Sequence, residues 1–169
     1  AIAGFNDLEL LNFARLTMQD PFQVRFIEFM PIGFFSEWRP EQCLPSEEIK
    51  RRIETHHPLV PVNSSKNSHD GPARLFKFPG AVGEIGFISP ISDHFCNTCN
   101  RLRLTADGKL KTCLFSDEEV DIKFLLRSGC HDEELEKKLS EAISTKPLRH
   151  GFTGSGIKRC HRPMVKIGG

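Results

Sequence analysis

The first thirty residues change from a helical to an extended hydrophobic pattern. Asn6 followed by Glu9 is a variant of the capping box and predicts a helix that runs to about Met18. Residues 24–30, VRFIEFM, are mostly apolar and rich in β-formers up to Pro31, which predicts a strand covered on both faces. The apolar side of the helix comprises Leu8, Leu10, Leu11, Phe13 and Ala14.

A helix followed by such a strand is half of an αβ repeat, so we expect a parallel sheet or a barrel to which this strand belongs. The chain begins with Ala1 rather than Met, and the earlier strands of such a sheet are missing from it. We therefore expect a fragment or a processed product. In this interpretation residues 1–40 are the end of an incomplete TIM-like barrel, and residues 41–169 form a C-terminal domain.

The middle of the chain predicts a short helix and a polar loop. The helix begins at residues 45–46, has Ile49 and Ile53 one turn apart on its apolar side, and ends at residues 56–58, HHP. Residues 63–71 are polar and lack periodicity, which is typical of a loop.

The second half predicts antiparallel strand pairs and a last helix. Residues 73–78 and 83–89 are joined by a Pro-Gly turn, and residues 101–105 and 109–115 flank an Asp-Gly sequence, which is a strong hairpin signal. The acidic residues 132–134 suit a helix N-terminus. The apolar positions of that helix are Leu135, Leu139 and Ala142.

Composition narrows the class of protein. The chain has 169 residues, 23 Lys and Arg against 22 Asp and Glu, and 27% charged residues, which is ordinary for a soluble globular domain. No apolar run approaches the ~20 residues of a membrane span, and no signal peptide is visible. The net charge of +1 argues against a general nucleic-acid coat.

The cysteines are distributed unevenly. Cys96, Cys99 and Cys113 fall within 18 residues, as Cys-x2-Cys-x13-Cys, whereas the other three are scattered. Such clustering favours a metal site in a reducing, cytoplasmic compartment over a disulfide framework. Cys43 and Cys130 are expected to serve packing, as buried free cysteines usually do.

The identity of the metal stays open at this point. A structural zinc ion would need a fourth ligand beside the three thiolates, such as His94, Cys160 or His161. An iron–sulfur cluster bound by three cysteines would leave one iron free for another ligand. A chance group of buried cysteines is the third alternative.

The register of the Asp-Gly hairpin decides where the third cysteine lies. A two-residue loop would place Cys113 opposite Leu102. A three-residue loop, with Gly108 in the left-handed conformation, instead places Cys113 opposite Arg101, on the face that carries Arg103. We expect the second register, because it brings Cys113 close to the other two cysteines.

Basic residues follow the cysteines at alternating positions. Arg101 and Arg103 share one face of the predicted strand, and Arg103 is expected opposite Lys111. Like charges across a sheet are unfavourable unless an anion lies between them, and guanidinium groups suit phosphate oxygens. The residues therefore predict a phosphorylated small molecule beside the metal; a solvated hairpin face is the alternative.

Several segments form a specific combination. They are VRFIEFM at 24–30, HFCNTCNRLRL at 94–104, DG at 107–108, KTCLF at 111–115, RPM at 162–164 and IGG at 167–169. Together they resemble the molybdenum cofactor biosynthesis protein A family, whose members are radical S-adenosylmethionine enzymes with GTP 3′,8-cyclase activity. The resemblance covers essentially the whole chain in order, but only the C-terminal half of the family's full length.

The resemblance implies roles for the cysteine and arginine segment. Cys96, Cys99 and Cys113 resemble the ligands of a second [4Fe-4S] cluster, whose open iron holds the guanine of GTP. The segment from Arg101 through Leu102 to Arg103 resembles the part that contacts GTP, with the two arginines near the substrate. GTP would be converted to 3′,8-cyclo-7,8-dihydro-GTP, the precursor of cyclic pyranopterin monophosphate.

The same resemblance implies roles for the two ends of the chain. Met30 resembles a residue that lines the S-adenosylmethionine site, and Arg25 an active-site arginine on the same strand. Gly168 and Gly169 resemble a tail that enters the active site. The expected partners are GTP, an N-terminal radical-enzyme half and the downstream cyclic pyranopterin monophosphate synthase, without nucleic acid or membrane; a homodimer stays open.

One element of the family pattern is missing. The sequence contains no Cys-x3-Cys-x2-Cys, so the other [4Fe-4S] cluster, which cleaves S-adenosylmethionine, has no ligands here. We expect an α/β fragment that is inactive alone: the last αβ unit of the barrel, followed by an antiparallel-sheet and helix region with the cluster. The alternatives are another radical enzyme with an auxiliary cluster and a zinc-stapled interaction module.

Overall fold

The structure is a computed structural model, and it describes residues 1–33, 38–62, 71–150 and 160–168. The chain divides into two units. The first comprises Ala1–Met30 with Trp38–Phe95, and the second comprises Pro31–Glu37 with Cys96–Gly169. The division into a barrel remnant of residues 1–40 and a domain of residues 41–169 stays a prediction.

The first unit contains a four-stranded sheet in the order β1-β4-β3-β2. Strand β1 runs parallel to β4, and β3 is antiparallel to both of its neighbours. The unit's elements are α1 (Leu10–Gln19), β1 (Gln23–Ile27), α2 (Ser46–Glu54), β2 (Val60–Pro61), β3 (Arg74–Lys77) and β4 (Glu84–Ile88).

Most of the predicted elements of this unit are confirmed. Helix α2 begins at Ser46 and buries Ile49 and Ile53 completely. The β3–β4 hairpin pairs antiparallel, and the parallel pairing of β1 with β4 confirms a mixed α/β architecture. Strand β2 was not predicted, because two residues are too short to show a period of two. Residues 63–70 of the expected polar loop lie outside the described residues.

The predicted start of the first helix is wrong. Helix α1 begins at Leu10, and residues 3–8 form turns. The Asn6 side chain accepts a hydrogen bond from the Ile2 amide, at 2.9 Å, instead of capping the helix. Leu8 and Phe13 of the predicted apolar side are exposed, whereas Leu10 and Ala14 are buried.

The prediction of a strand covered on both faces is also wrong for this chain. Strand β1 ends at Ile27, three residues before the predicted end. Phe26 faces the core and is buried, whereas Gln23, Arg25 and Ile27 on the other face are exposed. Ile27 is therefore an apolar position on a face that the described residues leave exposed.

The core of the first unit lies between the helices and the sheet. Ile49, Ile53 and Ile85 have no exposed surface, and Phe87 is 1% exposed. The rings of Phe26 and Phe87 stack at 5.9 Å between centroids. Burial of each such side chain contributes about 1.5–3 kcal/mol, so apolar packing holds this unit together.

The second unit contains a three-stranded antiparallel sheet in the order β5-β6-β7, with two helices. Leu110, Ile122 and Ala142 form its described core cluster. The unit's elements are β5 (Arg103–Leu104), β6 (Lys109–Lys111), β7 (Val120–Asp121), α3 (Ile122–Arg127) and α4 (Asp132–Ser144). Helix α4 was predicted; β7 and α3 are too short to leave a period in the sequence.

The hairpin register is confirmed, although its strands are shorter than predicted. Arg103 pairs with Lys111 and Leu104 with Leu110, which is the register of the three-residue loop. Gly108 has φ +82°, and a Cβ there would collide with the Lys123 side chain, so the loop requires glycine. Among the described helices of both units, none is both long and apolar enough to span a membrane.

Candidate cofactor and substrate site

Two of the three clustered cysteines share one tight turn. Cys96–Thr98 form a single 3₁₀ turn, and the Cys99 amide donates to the Cys96 carbonyl at 3.2 Å. Cys113 lies two residues after the end of β6, and its carbonyl accepts from the Ser116 amide at 3.3 Å. All three side chains are half-buried. The turn and the hairpin thus supply the thiols from two segments.

Cys113 is influenced electrostatically by the other two clustered cysteines. Burial is the main cause that raises the pKa of Cys113, and negative charge on Cys96 and Cys99 raises it further. A hydrogen bond from the Phe115 backbone and the charge of Lys146 oppose these effects. Cys96 and Cys99 therefore lie close enough to Cys113 to disfavour its ionisation, which a bound metal group would relieve.

A zinc ion and a [4Fe-4S] cluster require different ligands. In the described ranges, no three or more His, Cys, Asp or Glu side chains are arranged to hold a metal ion. Cys160 contacts Lys111 and His161 pairs with Asp117, so these two candidates for a fourth zinc ligand are engaged elsewhere. A cubane cluster distributes its thiolates over separate irons and accepts three of them. Three thiols from two segments therefore suit the expected [4Fe-4S] cluster, and the choice between this cluster and zinc stays a prediction.

A surface depression lies next to the cysteines. It has a volume of about 550 Å³, and Asn100, Arg101, Leu102 and Arg103 line it. Both predicted arginines thus face the same open space. The guanidinium group of Arg103 also donates to the Gly168 carbonyl at 3.0 Å, which connects the chain's last segment to the hairpin.

The predicted pairing of Arg103 with Lys111 is confirmed, but an anion between them is not required. The Lys111 side chain is buried, with its Nζ 3.4 Å from Cys160 Sγ and 3.7 Å from Glu119 Oε1. Arg103 is directed to Gly168 instead. Each cation thus has its own partner, which relieves the cross-strand repulsion.

Arg162 holds residues 160–168 against the hairpin. Its guanidinium group binds both carboxylate oxygens of Glu119, at 2.6 and 2.7 Å, and both of Asp107, at 3.0 and 3.1 Å. The Arg162 hydrogen bonds are the main cause that lowers the pKa of Glu119. Hydrogen bonds from Thr105 first and Arg162 second lower the pKa of Asp107 to about 2.

The structure describes one of the two predicted glycines at positions 168 and 169. Gly168 has φ +71°, and a Cβ there would lie 2.6 Å from the Leu104 carbonyl oxygen, so no other residue fits this backbone without a shift. Gly169 lies outside the described residues. The segment that ends the chain therefore packs closely on the strand that carries Arg103.

Two predicted residues belong to the first unit. Arg25 lies on the exposed face of β1 and donates to the Gln23 side chain. Met30 is half-buried after β1. Their predicted roles toward S-adenosylmethionine and the active site stay predictions.

Sequence reasoning missed several charged residues that organise the molecule. The carboxylate of Glu28 is buried within VRFIEFM and accepts hydrogen bonds from the amides of Ser46, Ile91 and Ser92, each at 2.9 Å. An acidic residue inside an apolar strand was the available signal. Lys111, Glu119, Lys146 and Arg162 gave no such signal, because their partners are distant in sequence.

A family of molybdenum cofactor synthesis proteins matches most of the chain. Residues 22–152 match the family model described as Molybdenum Cofactor Synthesis C, and the chain belongs to this family. The predicted family resemblance is thereby confirmed.

Several curated relatives are each named GTP 3′,8-cyclase. The protein of Thermodesulfovibrio yellowstonii is 48% identical over 98% of this chain and 49% of its own length. That of Moorella thermoacetica is 47% identical over 98% and 50%, and that of Alkaliphilus oremlandii 44% over 100% and 50%. The chain spans about half the length of the curated relatives it matches, and that half is the C-terminal one.

Proposed function

We propose that this chain is the substrate-binding half of a GTP 3′,8-cyclase. The observation that carries the proposal is the arginine-lined depression directly after the Cys96–Cys99 turn, in a chain of this family. Arg101 and Arg103 would bind the phosphate oxygens of GTP, because guanidinium forks match phosphate in geometry and charge. The Gly168 carbonyl would orient the Arg103 side chain.

Cys96, Cys99 and Cys113 would hold a [4Fe-4S] cluster in this unit. When bound, the cluster supplies an iron without a cysteine ligand, at which the guanine ring can be held. The protein contributes binding and orientation: two arginines for the phosphates and three half-buried thiolates for the cluster. Radical attack on the ribose and closure onto guanine C8 would give 3′,8-cyclo-7,8-dihydro-GTP, which cyclic pyranopterin monophosphate synthase would consume.

The radical itself would come from an N-terminal half that supplies S-adenosylmethionine chemistry. The first unit exposes several large apolar side chains that would suit such a partner, because exposed apolar surface is typical of an interface. Arg25 lies on that unit's first strand, and Met30 follows the strand. Both would contribute to the S-adenosylmethionine site of the complete enzyme. Exposed apolar side chains in residues 1–30 are Phe5, Leu8, Phe13, Leu16, Phe22 and Ile27.

The first experiment is anaerobic reconstitution with iron and sulfide, with iron, sulfide and zinc quantified. We expect about four iron and four sulfide per chain, since a cubane cluster contains that number of each. Cys113→Ser should lose most of the iron, whereas Cys130→Ser, a half-buried cysteine on the turn before α4, is the matched control and should retain it.

Titration of the reconstituted chain with GTP tests the substrate. The cluster spectrum should shift with GTP, and Arg101→Ala combined with Arg103→Ala should weaken binding about tenfold or more, because hydrogen bonds to charged groups contribute about 1.5–3 kcal/mol each. Arg127→Ala, an exposed arginine on α3, is the control.

Two other results would replace the proposal. One zinc per chain, no sulfide and no response to GTP would indicate a zinc-stapled interaction module. A cluster that responds to another small molecule but not to GTP would indicate a different radical enzyme. Turnover of GTP by the chain alone with S-adenosylmethionine would contradict the expected inactivity of this half.

A further inference from the structure

A lysine side chain joins the two segments that carry the clustered cysteines. Lys146 lies two residues after α4 ends at Ser144 and precedes Pro147, which prevents the helix from continuing. Its Nζ donates to the Arg101 carbonyl at 2.7 Å and to the Thr112 carbonyl at 2.5 Å. One ammonium group therefore bridges both strands of the hairpin at its open end.

The two carbonyls belong to residues that are close in sequence to the clustered cysteines. Arg101 is two residues after Cys99, and Thr112 directly precedes Cys113. The ladder between β5 and β6 ends at the pair of Arg103 and Lys111. Beyond that pair, the two segments that continue from the strands are connected by the Lys146 hydrogen bonds to the Arg101 and Thr112 carbonyls.

The Lys146 bridge also brings a positive charge to the cysteine-bearing segments. The side chain is half-buried, so its charge is screened less than that of a lysine extended into solvent. A cluster with thiolate ligands is anionic and gains a negative charge on reduction. A fixed cation nearby therefore favours the reduced form, and local charge and hydrogen bonding are known determinants of cluster potentials.

We infer that Lys146 is a positioning residue of the cofactor site. It fixes the spacing between the segment of Cys99 and that of Cys113, and its charge raises the reduction potential of the group that they bind. The inference rests on the proposed function for the cluster itself. It adds a residue outside the cysteine–arginine segment, contributed by the end of α4.

Three substitutions separate hydrogen bonding from charge. Lys146→Met removes both and keeps a similar length, Lys146→Gln retains an N–H donor without charge, and Lys146→Arg retains both. Lys138→Met is the matched control on α4, because Lys138 makes only an exposed ion pair with Glu141 in the described contacts. All variants are reconstituted with iron and sulfide in the 169-residue chain.

Two readouts are needed: iron and sulfide per chain, and the midpoint potential of the cluster. We expect Lys146→Met to incorporate less iron. In the chains that do carry a cluster, the ratio of reduced to oxidised form at a fixed potential should fall about tenfold, a shift of about 59 mV for a one-electron couple. Lys146→Gln should shift the potential similarly, whereas Lys146→Arg and Lys138→Met should match the wild type.

The outcomes distinguish this inference from the proposed function. A wild-type cluster whose content and potential are unchanged in Lys146→Met overturns the inference and leaves the proposed function standing. A lower iron content with an unchanged potential overturns the charge role. If the wild-type chain itself takes up no cluster, the proposed cofactor and the role of Lys146 toward it both fail.

Discussion

The two units of the chain are stabilised in different ways. In the first unit, α1 and α2 cover a mixed sheet, and the buried apolar cluster between them includes Ile49, Ile53, Ile85 and Phe87. In the second unit, the described cluster of Leu110, Ile122 and Ala142 is small, and a buried ammonium group, that of Lys111, lies close to it in the chain. The first unit thus has the larger apolar core, beside the buried Glu28 carboxylate, whereas the second combines a smaller apolar cluster with a buried, charge-paired lysine.

This difference suits the proposed roles of the units. Apolar packing is non-directional and tolerates partners that cover further apolar surface. A network of paired charges instead fixes the orientation of individual guanidinium and ammonium groups, which a site for an anionic substrate needs. The Arg162 contacts to Glu119 and Asp107 hold the last segment against the hairpin in that way.

The largest effect is expected in the core of the first unit. Phe87→Ala should destabilise this unit by about 3–5 kcal/mol, because it removes a buried ring and leaves a cavity. Trp38 is the only tryptophan of the chain, is 3% exposed and donates to the Phe29 carbonyl, so its fluorescence reports on this unit. Denaturant titration followed by fluorescence measures the change.

The matched control for this prediction lies in the other unit. Leu110→Ala also truncates a buried side chain, but it should leave the fluorescence transition of Trp38 in place if the units unfold independently. If the free energy of unfolding of Phe87→Ala lies within about 1 kcal/mol of the wild-type value, apolar packing does not dominate the stability of the first unit.

A smaller effect is expected when the charge network of the second unit is broken. Glu119→Gln leaves Lys111 buried without its counter-charge and removes one charged partner of Arg162, which should cost about 3 kcal/mol. Cys160 is fully buried beside Lys111, so its rate of alkylation reports on the opening of this unit. The rate should rise more than tenfold in Glu119→Gln.

The neighbouring residue provides the control for the network. Glu118 is exposed, and Glu118→Gln should leave the alkylation rate of Cys160 within about twofold of the wild type, as is usual for surface substitutions. An equal rate in both variants would show that the second unit does not depend on the charge of Glu119.

The sequence predicted the parts of the molecule that depend on local signals. The register of the hairpin followed from Asp107 and Gly108, because only glycine fits the left-handed loop position. Helix α2 followed from the spacing of Ile49 and Ile53. These features are set by neighbours within a few residues, which a pattern along the chain records.

Features that depend on distant partners were not predictable. Leu8 belongs to an apolar pattern yet is exposed, because none of the residues that the structure describes covers it. Lys111 was expected to face Arg103, with an anion between them or with both charges in solvent. Its side chain is instead buried, with Glu119 and Cys160 as partners. Lys146 meets the carbonyls of Arg101 and Thr112 from 45 and 34 residues away. Such contacts exist only after the fold has formed.

Lowering the pH is expected to have the smallest effect on stability. The loss should be confined to the contact between the hairpin loop and residues 160–168. Hydrogen bonds from Thr105 and Arg162 hold the pKa of Asp107 at about 2, below its ordinary value of 3.8. Because this pKa is lower in the folded chain, the stabilisation is present above pH 3.8 and is lost as the pH falls toward about 2. The amides of Ile167 and Gly168 should respond to that protonation.

Titration by NMR from pH about 5 down to about 2 measures both events. The Asp107 carboxyl carbon should titrate with a midpoint near 2, and the amides of Ile167 and Gly168 should change with the same midpoint. Asp107→Asn should remove this acid response, while Asp20→Asn, at an exposed position in the first unit, should not. A carboxyl that titrates at its ordinary 3.8, or amides that ignore it, would show that Arg162 holds the last segment through Glu119 alone. That result would reduce the network to one carboxylate and bring the second unit closer to the first in its dependence on apolar packing.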